Sequence, residues 1–209
     1  MTGWFISLEG IEGAGKTTQT QLLAKWLSKQ GYDVLITHEP GGTPLGQSLR
    51  TLLLQHTLPQ RTELLLYAAD RATHVAEVLQ PALQSNKIIL CDRYTDSTVA
   101  YQGYGRGLSL TLIDQVNALA TGGLTPDLTL WLDVPVPIGL ARAKKRGVLD
   151  QMERESLAFH ERVRSGYQHL TTQYPERLVR IAGELPVEQV FTQICAAIAA
   201  RLSRANECQ

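Results

Sequence analysis

The chain has 209 residues, 44% of them hydrophobic, and its 20 lysines and arginines balance 20 aspartates and glutamates. That length suits one domain with a full core, and zero net charge removes any global electrostatic case for a nucleic-acid or membrane partner. Cys91, Cys195 and Cys208 stand far apart with no C-x-x-C pair, so neither a disulfide framework nor a zinc site is supported, and no apolar run approaches membrane-spanning length.

Strand and helix signals alternate from end to end. Trp4-Phe5-Ile6-Ser7-Leu8 reads as a short apolar strand. Its early start leaves no room for a signal peptide, and a cytoplasmic setting is the expectation. Thr18 to Gln30 reads as a helix, with Leu22, Leu23, Trp26 and Leu27 at helical spacing and Gly31 as C-cap. Val34-Leu35-Ile36-Thr37 is a second strand, and Glu39-Pro40-Gly41-Gly42-Thr43-Pro44 a sharp loop before a helix over 45–54. A longer helix begins near Thr62, where Leu64, Leu65, Ala68, Ala72, Val75 and Leu79 step three or four apart; Pro81 should kink or interrupt it. Lys87-Ile88-Ile89-Leu90-Cys91-Asp92 is a buried-type strand ending in an acid. Helices follow over 95–102 and 109–121, a strand over 127–133, helices over 137–146 and 153–172, and a last strand over 178–181. The final helix carries Val187, Val190, Phe191, Ile194, Ile198 and Leu202 on one stripe.

Between the first strand and first helix, Gly10-Ile11-Glu12-Gly13-Ala14-Gly15-Lys16-Thr17 matches G-x-x-x-x-G-K-[ST] at every fixed position. Glycines let the backbone curl until its N–H groups converge on a phosphate. Lys16 adds a flexible cation, Thr17 offers a hydroxyl to Mg²⁺, and the helix running on through Thr18 aims its positive end at the anion. The loop therefore implies a nucleoside triphosphate. Strands separated by helices imply parallel pairing through right-handed crossovers. The expected fold is a single α/β domain, a three-layer P-loop NTPase sandwich with a parallel five-stranded sheet flanked by helices and a short lid. Ligands in such sheets lie beyond the carboxyl ends of the strands. Glu9, Glu39, Asp92 and Asp133 fall there and are candidates to share one cleft with the loop.

Asp92-Arg93-Tyr94 sets an acid that can reach Mg²⁺ beside a permanent cation. Asp133 competes for the metal but has no cation next to it. Arg142-Ala143-Lys144-Lys145-Arg146-Gly147, with Arg154 beyond, is a basic cluster that reads either as a solvated helix face or as a lid over about 142–155. Phosphoryl transfer needs positive charge on the transferring group and water kept out, and arginine's planar fork suits the first task. Gly103-Tyr104-Gly105-Arg106-Gly107 reads as a flexible turn rather than a second phosphate loop. His38, His56, His74, His160 and His169 lack metal-ligand spacing and read as structural or surface residues.

A regulatory GTPase would need N-K-x-D and D-x-x-G, and the chain has neither. An ATP-dependent binding module and a small-molecule kinase remain, and the basic lid candidate favours the kinase. Over nearly its whole length the chain resembles the thymidylate kinases. The resemblance rests on Glu9 through Thr18, Glu39-Pro40-Gly41-Gly42-Thr43, Tyr67-Ala68-Ala69-Asp70-Arg71, Asp92-Arg93-Tyr94, Ser97, Tyr101-Gln102-Gly103, Gly105-Arg106-Gly107 and Pro126-Asp127-Leu128-Thr129. It implies transfer of the γ-phosphoryl of ATP to dTMP with Mg²⁺, in a homodimer. By the same resemblance Glu12 would accept from the 3′-hydroxyl of dTMP, Tyr67 would stack on thymine, and Arg71 would donate to a thymine carbonyl. Ser97 and Gln102 would face the base, Tyr101 would pack by the sugar, and Arg50 and Arg93 would hold phosphate. Lys16 and Arg93 would be catalytic, and Thr17 and Asp92 would order the metal. Gly13 stands where some members carry an arginine, which moves the expected transition-state cation to Arg142, Lys144, Arg146 or Arg154. Gln151 and Val148 stand where several bacterial members carry an arginine, so the identity of that cation is left open. A kinase for another nucleoside or nucleotide is the alternative.

Overall fold

The structure, a computed structural model, describes residues 3–147 and 151–207, with side chains to Arg201. Val148 and the adjoining lid positions to Asp150, the Leu202 side chain and Cys208 lie outside the described residues. Five parallel strands form one sheet: β1 (Trp4–Glu9), β2 (Val34–His38), β3 (Ile88–Asp92), β4 (Leu128–Asp133) and β5 (Leu178–Ala182), in the order β2-β3-β1-β4-β5. The helices are α1 (Lys16–Lys29), α2 (Pro44–Gln55), α3 (Gln60–His74), α4 (Gln80–Gln84), α5 (Thr95–Thr98), α6 (Leu110–Thr121), α7 (Val136–Lys145), α8 (Leu157–Gln173) and α9 (Val187–Glu207).

Strand alternation divides the core between the two faces of the sheet. Ile6 and Leu8 of β1, Leu90 of β3 and Leu130 and Leu132 of β4 pack with Leu23 and Leu27 of α1 and Ile194 and Ile198 of α9. On the opposite face Phe5, Ile89 and Cys91 pack with Leu79 and Tyr94, and Trp131 packs with Phe159, Val163 and Tyr167 of α8. β1 is central, and its last residues pair with both neighbours, Leu8 with Asp92 and Glu9 with Trp131. The chain leaving β1 therefore enters α1 between the ends of β3 and β4, which sets the phosphate loop at the switch point of the sheet.

Three local expectations change. The helix expected from Thr18 begins at Lys16, because Gly15 takes a φ of 95° that ends the loop one residue before it. The long helix expected from Thr62 is interrupted, but before Pro81 rather than at it. A π-helical turn, Val75–Leu79, widens the spiral before it, the Gln80 N–H donates to the Val75 carbonyl, and Pro81 falls in the first turn of α4, where a missing N–H costs least. The glycine-rich segment expected as a flexible turn is packed instead. A π-helical turn runs from Val99 to Gly105, and a Cβ on Gly103 or Gly105 would come within 2.7 Å of Leu110 or Phe159. Those glycines let α6 and α8 approach.

Candidate active site

One cleft of about 1180 Å³ opens at the carboxyl ends of the strands. It is lined by the phosphate loop from Glu12 to Thr18, by Arg50, Tyr67 and Arg71, by Asp92, Arg93, Ser97, Tyr101 and Gln102, and by Arg142 and Arg146. All the expected substrate residues thus face one space. Gly10 and Ile11, expected with the loop, do not line it but offer their carbonyls to Lys16, and Arg154 is an exposed side chain that does not line it.

Local conformation explains how the loop works. Gly10, Gly13 and Gly15 all have positive φ, which lets the chain close on itself. Lys16 reaches back so that Nζ donates to the carbonyls of Gly10 at 3.0 Å and Ile11 at 3.1 Å. Burial, reinforced by the Arg93 charge, pulls the Lys16 ammonium down to about 8, against the opposing pull of Asp92, Glu12 and Glu9. A Cβ on Gly13 would stand 2.0 Å from the carbonyl oxygen of Gly139 in α7. Gly13 is therefore where helix and loop touch, with no room for any side chain.

Asp92 and Arg93 turn towards the loop from the end of β3. Thr17 Oγ1 donates to Asp92 Oδ2 at 3.0 Å, so the two side chains expected at the metal already meet. Asp133 does not enter the cleft. Arg164 at 2.7 Å and Arg180 at 2.8 Å occupy its carboxylate, which removes it from competition for the metal. Arg93 adopts a φ of 75°, unusual for a side chain of its size. Its guanidinium donates to the Gly10 carbonyl at 3.0 Å, Ser97 Oγ at 3.2 Å, Glu12 Oε1 at 2.8 Å and Tyr101 Oη at 3.1 Å. Glu12 Oε1 also accepts from Tyr101 at 2.7 Å, while Glu12 Oε2 is buried without a hydrogen-bond partner among the described residues. Burial alone would raise the Glu12 carboxyl, but Arg93, Lys16, the Tyr101 hydroxyl and His160 outweigh it and hold the group below the usual range.

The acceptor side is built on α3, where Tyr67 and Arg71 lie four residues apart and face the cleft. Arg71 is fully buried. Nε donates to Glu39 at 2.8 Å, Nη1 to Thr98 and Asn117 at 2.9 Å each, and Nη2 to the Tyr94 carbonyl at 3.2 Å. Arginine has five N–H donors, so one remains to be directed at a ligand. Arg50 Nη1 donates to the Pro40 carbonyl at 2.8 Å. His74, read as structural, is just that: buried, it bridges Thr37 and Glu39. Of the lid cations, Arg142 binds the carbonyls of Gly183 at 3.0 Å and Glu184 at 3.2 Å, and Arg146 pairs with Glu153 at 2.7 Å.

Glu9, expected among the strand-end acids to share the cleft, does not line it: it is fully buried and accepts from the Tyr94 N–H at 2.7 Å, Ser97 at 2.5 Å and Tyr167 at 2.9 Å. Burial, with Asp96 nearby, pushes its carboxyl up to about 7 against the pull of Ser97, Arg93 and Tyr167. Tyr167 gave no signal, because its hydroxyl meets Glu9 only across 158 residues of chain. Glu63 could have been found: it lies one turn before Tyr67 on the same face of α3.

A family model described as thymidylate kinase matches residues 8–194. The thymidylate kinase of Trichormus variabilis is 55% identical to this chain over 199 residues, covering 93% of this chain and 94% of that one. The thymidylate kinase of Thermosynechococcus vestitus is 54% identical over 215 residues, covering 97% and 89%. Among solved structures, a thymidylate kinase from Ehrlichia chaffeensis is similar with a TM-score of 0.78 and 36% identity, covering 95% of this chain and 99% of that one.

Proposed function

Because the chain belongs to the thymidylate kinase family, we propose that ATP with Mg²⁺ occupies the phosphate-loop half of the cleft and dTMP the half lined by α3 and the Asp-Arg-Tyr segment. The enzyme is a nucleoside monophosphate kinase that phosphorylates dTMP to dTDP on the route to dTTP. The observation that carries the site assignment is Glu12. A phosphate-binding loop has no use for a carboxylate, yet one oxygen of Glu12 is fixed by Arg93 and Tyr101, and the other, buried, has His160 Nδ1 at 3.5 Å but lacks a hydrogen-bond donor. A sugar hydroxyl on a second substrate supplies that donor.

Each remaining role follows from chemistry already in place. Lys16 exchanges loop carbonyls for phosphate oxygens, and Arg93 holds the acceptor phosphate close to the donor. Thr17 and Asp92 fit Mg²⁺, which takes few protein oxygens beside those of phosphate and water. When bound, that ion neutralises charge on the phosphoryl group in flight. No strong general base is required, because the acceptor is already an anionic phosphate and the reaction depends on positioning and charge. Tyr67, Ser97 and Gln102 bound the base, with Arg71 donating its remaining N–H, while Tyr101 closes the sugar side and Arg50 reaches the acceptor phosphate.

For the lid, we assign the transferring phosphoryl to Arg146. Its partner Glu153 lies within the same lid region, whereas Arg142 is held by the Gly183 and Glu184 carbonyls at the donor end. Arg146→Ala should then lower kcat by about a hundredfold or more, and Arg142→Ala should chiefly raise KM for ATP. A selective kcat loss in Arg142→Ala or Arg154→Ala instead would reassign the role.

Acceptor-dependent ADP release against dTMP, dUMP, thymidine, CMP, AMP and GMP tests the whole reading, with dTMP expected to lead. Thymine and uracil differ by one methyl group, worth about 1–3 kcal/mol, so dUMP should follow at a distance. Activity with thymidine in place of dTMP would make it a nucleoside kinase. The Glu12 role has its own check. A 3′-deoxy analogue of dTMP should lose affinity against the wild type and lose far less against Glu12→Gln.

A homodimer and a cytoplasmic location complete the proposal. The dimer is supported by an exposed apolar stripe on α3, where Leu65, Ala69 and Ala72 recur at helical spacing. Among the described residues no helix is long and apolar enough to cross a membrane.

A further inference from the structure

Arg106 belongs to the glycine-rich segment, which the phosphate-binding chemistry does not use, yet its guanidinium joins three parts of the molecule. Nη2 donates to Glu63 Oε2 of α3 at 3.0 Å and Nε to Glu63 Oε1 at 3.3 Å. Nη1 donates to Glu155 at 2.5 Å, at the end of the lid, and the guanidinium lies 4.8 Å from the centre of the Phe159 ring. Glu63 Oε1 is also the acceptor for Gln102 Nε2 at 2.7 Å. Gln102 and Glu63 are both buried, and Gln102 faces the acceptor half of the cleft.

The consequence lies in the amide. An ionised carboxylate only accepts hydrogen bonds, so the –NH₂ end of Gln102 must face Glu63. Its oxygen is then the end left for the cleft. An oxygen there reads a ring N–H, which thymine and uracil carry at N3, and repels a ring nitrogen with a lone pair, as in cytosine. Gln102 lies within the π-helical turn and Arg106 just past it. The Arg106 N–H donates to the Tyr101 carbonyl at 2.8 Å, one residue further back than in an α-helix, and Gln102 and Arg106, four residues apart, meet on one carboxylate.

Resting on the reading that dTMP is the acceptor, we propose that Glu63 and Arg106 are positioning residues. Glu63 locks the amide of Gln102 with its oxygen towards the base, and Arg106 ties that lock to the end of the lid through Glu155. Base selection and lid position thereby share one guanidinium.

The test compares kcat/KM for dTMP with that for 5-methyl-dCMP, which keeps methyl group, sugar and phosphate and changes only the N3 and C4 edge. Glu63→Gln offers either a donor or an acceptor to Gln102 and frees the amide to turn, so the dTMP preference should fall about tenfold. Glu63→Asp keeps an acceptor-only partner and should retain the preference even where total activity drops, which a merely structural role for Glu63 would not distinguish. In a Gln102→Ala background, Glu63→Gln should leave the preference unchanged. For the tether, Arg106→Ala and Glu155→Ala should each raise KM for dTMP, and together no more than Arg106→Ala alone. An unchanged preference in Glu63→Gln, equal loss in the Asp and Gln variants, or additive effects of Arg106→Ala and Glu155→Ala would overturn the inference while leaving dTMP as substrate. A wild type that does not turn over dTMP would overturn the reading beneath it.

Discussion

Lys16 and Glu9 lie seven residues apart, and burial displaces both in opposite senses. Lys16 is pulled down to about 8 from an ordinary 10.5, so the free enzyme loses this cation as pH rises through about 8. A bound triphosphate restores the preference for the charged form. The alkaline limb of kcat/KM for ATP should therefore begin near pH 8, and that of kcat should lie higher, because the first reports free enzyme and the second the complex. A kcat/KM flat to about pH 9.5 would remove Lys16 from this account. Glu9 is pushed up to about 7 from 4.5. Between those values the folded state binds more protons than the unfolded chain, so this group costs stability as pH rises through the window, with the cost complete above about 7. Glu9→Gln carries no charge, and the hydroxyls of Ser97 and Tyr167 can turn to accept from its amide. Its Tm relative to wild type should therefore be more favourable at pH 8 than at pH 4.5, and a pH-independent difference in thermal melts would refute it. Asp96 and Arg93 are the charges facing this carboxyl, one raising and one lowering it, and neither adjacency could be read from spacing.

At the scale of elements, the strands and most helices were legible, because β1, β3 and β4 are apolar runs closed by acids and α9 carries a clean stripe. Helix interiors altered by a single extra residue were not legible. Neither π-helical turn has a hydrophobic signature, and the one at 99–105 turned an expected loose glycine segment into a packing surface. The glycines that matter to the site act by close approach. Gly139 of α7 lies against the phosphate loop, and a Cβ there would stand 2.7 Å from both the Glu12 carbonyl oxygen and Ile11 Cδ1. The oxygen belongs to backbone and cannot yield by a rotamer change. Gly139→Ala should therefore cost about 1–3 kcal/mol, seen as a lower Tm, and raise KM for ATP several-fold by shifting the loop. Because the displaced carbonyl is that of Glu12, assigned to the acceptor sugar, KM for dTMP should rise as well. Unchanged constants for both substrates would mean that the loop keeps its place.

The whole molecule shows why the loop was so informative and the acceptor site was not. The phosphate loop is one continuous stretch at the end of a central strand, so eight consecutive residues announce it. The acceptor half is assembled from β1, α3, the Asp-Arg-Tyr turn and α8, whose contacts span up to 158 residues. Only resemblance to a family brought Tyr67, Arg71 and Gln102 together in advance. Position also bears on the proposed homodimer. α3 faces the cleft with Tyr67 and Arg71 and turns Leu65, Ala69 and Ala72 outward, with Leu65 61% exposed. Small residues at this spacing let a second helix approach closely, and a two-fold contact sets each such stripe against its own copy. Ala72→Glu would then place two carboxylates across one axis. The variant should elute as a monomer where the wild type is dimeric. Arg71, whose donors are held from α3 by Glu39, Thr98 and Asn117, should lose its exact placement with the partner helix gone. KM for dTMP should rise while KM for ATP holds. A wild type that is already monomeric at working concentration, or an Ala72→Glu dimer, would show that the stripe covers nothing and that α3 holds its place alone.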